Sequence, residues 1–188
     1  MTHMMKTLLM LLFWLPFVST QAQDLAVYEA RGPVKQIQWA KEYDGNFSIP
    51  FFYGTCEFNR RGRDKAFDQR YYAERDKRGR MKRVGMDPAD AYYWHYDKKG
   101  RLTWCYYLQR GDTDLFDYMI YYFYAANGEV GKYRIHRGTP SKIGDVVDEL
   151  TVHVIKRDSH GNWTKRQFTS NNNNRVYEEE RAITYYKD

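Results

Sequence analysis

Two cysteines in 188 residues leave little room for thiol chemistry. Cys56 and Cys105 lack the C-x-x-C spacing that a zinc ribbon or a dithiol redox centre needs. The five histidines form neither an HExxH motif nor a tight H-x-H pair, so no metal site is legible. A G-x-S-x-G elbow and a complete Walker loop are both missing, which removes the usual serine-hydrolase and nucleotide signatures. Asp and Glu are abundant enough to build a glycosidase pair in space, yet no spacing selects one. The sequence therefore offers no catalytic, metal or cofactor residue. Sustained i, i+3, i+4, i+7 spacing of apolar residues is also absent, and this excludes a helical bundle.

What the chain has in quantity is aromatic side chains, with 18 Tyr, 10 Phe and 5 Trp. They gather around Tyr92 to Leu108, which reads YYWHYDKKGRLTWCYYL. Leu102, Trp104, Tyr106 and Leu108 share one parity, and period two is the period of a strand. Between the two aromatic runs lies Asp97-Lys98-Lys99-Gly100. Asp opens a type I turn by accepting backbone N–H groups, and glycine supplies the left-handed conformation that closes a three-residue hairpin.

The same turn chemistry recurs at four other places. Its residues are Asn59 and Gly62, Asp76 and Gly79, Asn127 and Gly128, and Asp158 and Gly161, with the central pair Asp97 and Gly100. Five turns of one design are a repeat signal. The central Tyr96-Asp97-Lys98-Lys99-Gly100-Arg101-Leu102 resembles the YD repeat of RHS-type proteins. It is also similar to small exported YD-like proteins of the Bacteroidetes type, which open with a strand like Gly32-Pro33-Val34-Lys35. Those proteins close with elements like Gly161-Asn162-Trp163 and Arg181-Ala182-Ile183-Thr184-Tyr185-Tyr186. The resemblance implies strand chemistry and export, and no particular activity. Two departures stand out: the glycines are unevenly spaced, and only the central copy has both Tyr and Asp.

Met1 to Ala22 has the form of a signal peptide, with Lys6 at its start, an apolar centre from Leu8 to Val18, and Thr20-Gln21-Ala22 as the cleavage pattern. The apolar run is short and holds Pro16, so it does not suit a membrane span. Residues 23–188 then make one domain, long enough to bury a core. Its expected architecture is all-β: an antiparallel meander of successive hairpins, curled toward an open barrel or sandwich to hide its edges. Leu25 to Arg31 and Val34 to Ala40 read as the first two strands. Asp44-Gly45 and Asp87-Pro88-Ala89-Asp90 read as turn and loop. Leu115 to Tyr124, apolar at nearly every position, suits a strand covered on both faces. Arg137 to Asp145 reads as the longest irregular segment.

Export would allow Cys56 and Cys105 to pair if their strands lie side by side; the alternative is two buried free thiols. Arg110-Gly111-Asp112 spells an adhesion tripeptide, but it suits a plain Gly-Asp turn as well. Basic residues crowd Arg60 to Arg83 among aromatics, the composition of a polyanion binder, while hairpin tips also carry charge simply for solvation. The formal charge is +6. Export argues against nucleic acid, and leaves an envelope protein, a glycan or an anionic polymer as the class of partner. Tyr93, Trp104, Tyr106, Tyr121 and Trp163 are the candidates for stacking on a sugar ring, with burial in the core as the alternative for each.

Overall fold

The computed structural model describes residues 24–40, 54–69, 73–87, 90–110 and 115–187. The leader, the Asp44-Gly45 turn and the Gly111-Asp112 step lie outside these residues. Eleven strands form one antiparallel sheet. They are β1 (Val34–Trp39), β2 (Thr55–Glu57), β3 (Glu74–Arg75), β4 (Met81–Asp87), β5 (Asp90–Tyr96) and β6 (Leu102–Arg110). There follow β7 (Leu115–Tyr124), β8 (Val130–Thr139), β9 (Lys142–Arg157), β10 (Trp163–Ser170) and β11 (Val176–Tyr185). From β3 to β11 the order is a simple meander; β1 then returns to pair with β11, and β2 lies outside it. The two edge strands have three and two residues and are not paired with each other. Edges that short offer little template for a foreign strand.

One hydrogen-bond pattern builds the repeat turns. At the central copy, Asp97 N donates to Arg101 O at 2.8 Å, and Gly100 N donates to Asp97 O at 3.0 Å. Asp97 Oδ1 also accepts from Arg101 N at 2.9 Å. Gly100 has φ +86, a conformation that costs a residue with a Cβ about 1–2 kcal/mol. Gly62, Gly79, Gly128 and Gly161 share that sign of φ.

Adjacent turns are also coupled through their side chains. From the second turn to the fifth, the residue after a turn glycine meets the residue four before the next turn glycine. Arg80 lies over the Tyr96 ring at 4.2 Å, and Arg101 over the Tyr124 ring at 4.5 Å. Between the last two turns the stack is replaced by an ion pair, Glu129 with Arg157. The arginine after the glycine thus serves its own turn aspartate and its neighbour's ring at once.

Leu25 to Arg31 does not form the expected first strand. Residues 24–29 are a run of tight turns, with Val27 N on Asp24 O at 3.0 Å and Tyr28 N on Leu25 O at 3.1 Å. Leu25, Val27, Tyr28 and Ala30 are all buried. This segment is the centre about which the sheet curls. Asp24 pairs with Arg75 of β3, while Glu29 pairs with Arg166 of β10. Those strands stand seven places apart, roughly 34 Å in a flat sheet, whereas five residues in tight turns rise only about 10 Å. The sheet bends until both reach the same short segment. Asp24 Oδ2 also accepts from Asp64 N at 2.8 Å, so residues beside both sheet edges meet at this one carboxylate.

Arg181 of β11 holds the other end of the segment. Its guanidinium donates to Tyr28 O, Glu29 O and Trp163 O. Its hydrogen bonds go to carbonyls, with Glu29 and Glu179 near enough to act on its charge. Burial and the neighbouring Arg166 push its pKa down to about 9, which leaves it charged at neutral pH. Arg166 is balanced by Glu29 at 2.8 Å and Glu179 at 2.7 Å, and Glu179 accepts from Trp39 Nε1 at 3.0 Å. Buried charges survive when paired in this way.

The core lies between this segment and the concave face. Tyr133, Phe58, Ile37, Leu102, Met81 and Ile120 are almost fully enclosed, each worth about 1.5–3 kcal/mol of apolar burial. Tyr92 stacks on Tyr107 at 6.2 Å, and Tyr107 on Tyr118 at 5.4 Å. Arg137 to Asp145, expected to be irregular, is instead the β8–β9 hairpin. Its glycines mark a register irregularity rather than a loop: Gly138 has φ +113 and pairs with Ile143 beyond a register shift. Asp87 and Asp90, expected within a loop, pair with each other at the ends of β4 and β5.

Candidate functional site

The sheet register sorts the aromatic residues by face. Trp94, Cys105, Ile120 and Ile135 form one row across β5 to β8, and all belong to the core. Neighbouring rows have the opposite parity and point away from it. One outward row is Tyr93, Tyr106, Met119 and His136. The next is His95, Trp104, Tyr121, Arg134 and Glu149. Phe123 and Lys132 begin a third.

Four of the five stacking candidates therefore share this outer face. His95 and Trp104 lie parallel within 1°, their ring centroids 5.2 Å apart. Tyr93 and Tyr106 are tilted at 5.7 Å, and Tyr121 meets His136 edge-on at 5.4 Å. His95, Trp104 and Tyr121 are exposed or half-exposed, and Phe123 is 39 % exposed. Tyr106, at 9 %, is the covered part of the cluster, and its hydroxyl donates to Asp117 at 2.7 Å. The outward side of β7 is thus not covered as expected, although Met119 on that side is buried.

Polar groups interleave with the rings and are themselves fixed. His95 Nδ1 is 2.8 Å from Thr103 Oγ1, and His136 Nδ1 is 3.1 Å from Gly144 O. Arg134 and Lys132 both reach Glu149 and both lie beside the Phe123 ring, at 5.2 and 5.1 Å. The Arg134 hydrogen bond holds the Glu149 carboxyl below its usual range. Arg83 lies over Tyr93 at 5.4 Å and pairs with Glu74. Arg83, Lys132 and Arg134 are thus each paired with a carboxylate. The arrangement offers flat rings with hydrogen-bonding edges, which suits a ligand having both apolar faces and hydroxyls.

Trp163 does not join them. It is 5 % exposed, with Arg181 at 3.4 Å and Arg166 at 3.9 Å over its ring. Two arginines from β10 and β11 enclose it, so it belongs to the core. Cys56 and Cys105 are not joined in a disulfide, and their strands lie seven places apart in the sheet. Cys105 lies 3.4 Å from Tyr122 Oη, and burial pushes its pKa up to about 12. In the sequence His95 and His136 read as surface or partly buried polar residues outside any metal motif, and Phe123 is not singled out. The two-residue offset from Tyr93 and Tyr121 would have identified His95 and Phe123; His136 needed the β7–β8 register.

A crevice also opens where the turn segment meets the hairpin tips, lined by Glu29, Arg101, Glu129, Asn162 and Arg166. Its two carboxylates are each held by an arginine, Glu29 by Arg166 and Glu129 by Arg157. It reads as a seam between packed parts, with its charges already matched. Among the described residues no group of three or more His, Cys, Asp and Glu could hold a metal ion. No described helix is long and apolar enough to cross a membrane.

Much of the basic cluster is internally engaged. Arg75, Arg80, Lys82 and Arg83 form ion pairs, and Arg60 lies over the Tyr186 ring. No family model, curated protein or solved structure matches the chain.

Proposed function

We propose that this chain is an exported, non-enzymatic β-repeat module of the YD-like kind, which binds a carbohydrate of the cell envelope through the outer face of β5 to β8. The observation that carries the reading is the parallel His95–Trp104 pair, continued by Tyr121 on the next strand. Exposed and partly exposed rings on one strand surface present apolar area against which a sugar face stacks. The adjoining Thr103, Asp117 and Glu149 supply hydrogen-bonding groups at its margin. Export rests on the Lys6-to-Ala22 pattern at the start of the chain.

A glycan array probed with the wild-type protein and with Trp104→Ala and Tyr121→Ala tests this. Binding to a defined set of glycans, lost in both variants without a change in melting temperature, is the expected result. A blank array, or variants that bind as the wild type does, would refute it.

A further inference from the structure

The outer aromatic face ends at a concentration of positive charge. The β3–β4 and β5–β6 turns, residues 76–80 and 97–101, contain the cations Lys77, Arg78, Arg80, Lys98, Lys99 and Arg101 against two carboxylates, Asp76 and Asp97. Both carboxylates are used within their own turns. Asp76 takes Arg78 N at 2.8 Å, Arg80 N at 3.0 Å and the Arg80 guanidinium. Asp97 takes Arg101 N at 2.9 Å and Arg101 Nε at 2.8 Å.

Lys77, Arg78, Lys98 and Lys99 are exposed, and none has a carboxylate partner among the described residues. The two tips touch, since Arg78 donates to Lys98 O at 3.3 Å. The four charges therefore form one patch. It stops at the next turns: residues 125–129 hold no cation, and Glu129 there is matched by Arg157. At the far side of the rings, Lys132 and Arg134 share Glu149. The four tip cations thus set a concentration of positive charge beside one end of the ring rows.

The distance from rings to charges is short. His95 and Lys98 are three residues apart on one strand and its tip, about 10 Å, the reach of a short oligosaccharide. We infer that the ligand of the outer face is an acidic polysaccharide, its sugar faces on Trp104 and Tyr121 and its anionic groups against Lys77, Arg78, Lys98 and Lys99. This rests on the carbohydrate reading above and adds the charge of the ligand and its direction along the sheet. Single exposed charges attract weakly in water, but four converging on a polyanion add up, and their sum is screened by salt.

Titration calorimetry on the full chain uses three oligosaccharides of matched length: oligogalacturonate, a heparin fragment and a neutral cello-oligosaccharide. At low salt the two acidic probes bind at least about tenfold tighter than the neutral one, and the advantage disappears near 0.5 M salt, where the screening length is only a few ångströms. Lys98→Gln/Lys99→Gln removes the advantage but spares neutral binding, and both side chains are exposed, so the variant folds. Trp104→Ala abolishes binding of all three.

Equal affinity for acidic and neutral probes, with Trp104 still required, overturns this inference and leaves the carbohydrate reading standing. No binding of any probe overturns both. Binding of single-stranded DNA as tight as that of the heparin fragment, indifferent to Trp104→Ala, reduces the patch to plain electrostatics and also overturns it.

Discussion

Replacing Arg181 with methionine tests whether the buried turn segment organises the sheet. The guanidinium is 2 % exposed in terms of its residue and donates to three carbonyls, two of them at the end of the segment. Methionine fills similar space but leaves all three acceptors without this donor. A buried acceptor left unpaired costs about 1–3 kcal/mol, so the gross loss is about 3–9 kcal/mol. Against it stands relief from burying a cation with no carboxylate in contact, itself worth several kcal/mol. The balance is a net loss of about 3 kcal/mol, a large share of the 5–15 kcal/mol of a typical domain. For a domain of this size that lowers the melting temperature by about 6–12 °C. Urea unfolding followed by tryptophan fluorescence measures the free energy, and lysine at the same position recovers less than half of it, because its single ammonium lacks the planar fork. A loss under about 1 kcal/mol for Arg181→Met would mean that the carbonyls find water and that the segment needs no anchor.

Other consequences follow from the same geometry. Burial raises the pKa of Tyr28, Tyr122 and Tyr133 well above 10, so the folded state keeps protons that the unfolded chain releases. Stability from these groups is intact below pH 10 and falls as the pH rises above it; absorbance at the tyrosinate band should show them ionising only with loss of near-ultraviolet circular dichroism. Partial burial works to raise the pKa of Asp76 and Asp97, but hydrogen bonds from Arg80, Arg101 and the turn amides outweigh it and hold both below 3.8. Their contribution is therefore complete above pH 3.8 and lost as the pH falls through the folded value, and Asp97→Asn should flatten that acid limb in a pH series of urea midpoints. Gly161→Ala meets no atom within 4 Å and costs only the left-handed backbone, about 1 kcal/mol, whereas a Cβ at Gly138 would lie 2.3 Å from Lys142 O and costs about 3 kcal/mol by thermal unfolding. Cys105 should resist a water-soluble thiol reagent in the native protein while half-buried Cys56 reacts, which mass spectrometry of the labelled peptides reads directly.

The sequence displays what is local. Each hairpin turn is complete within five residues, so Asp97 and Gly100 could be read without knowing where the strands go. The same holds for face assignment, because parity follows from counting: Tyr93, Tyr106 and Tyr121 share a side once their registers are known. Leu25 to Ala30 misled because Leu25 and Val27 alternate like a strand. It turns on its own backbone hydrogen bonds, and the groups that hold it inside the sheet belong to Arg181, Asp64 and Arg75, far along the chain. Trp163 misled for the same reason, its cover being two arginines from β10 and β11. Gly138 and Gly144 looked like loop residues because a glycine in a strand irregularity and a glycine in a turn are identical in sequence.

A single sheet wrapped about a short segment can bury only one of its faces, and this makes the other face informative. Across β9, β10, β11 and β1 the outward rows are mostly polar: Thr151 with Thr169, His153 with Gln167, Lys165 with Glu180, and Gln36 with Thr184. Single exposed aliphatics stand at Ile155 and Val176, with no exposed ring cluster among the described residues of these strands. Across β5 to β8 the same rows change to Tyr93, His95, Trp104, Tyr106, Tyr121 and Phe123. Nothing in the packing of the core demands that change, since those side chains point away from the segment and its inward neighbours already fill the interior. Cross-strand ring pairs do stabilise a sheet, by roughly 0.2–1 kcal/mol each. That gain accounts for a buried ring such as Tyr106, but not for leaving Phe123 and the edge of Trp104 in water, where a β-branched polar residue would serve the strand as well. An exposed cluster retained against that alternative is best explained by something that covers it.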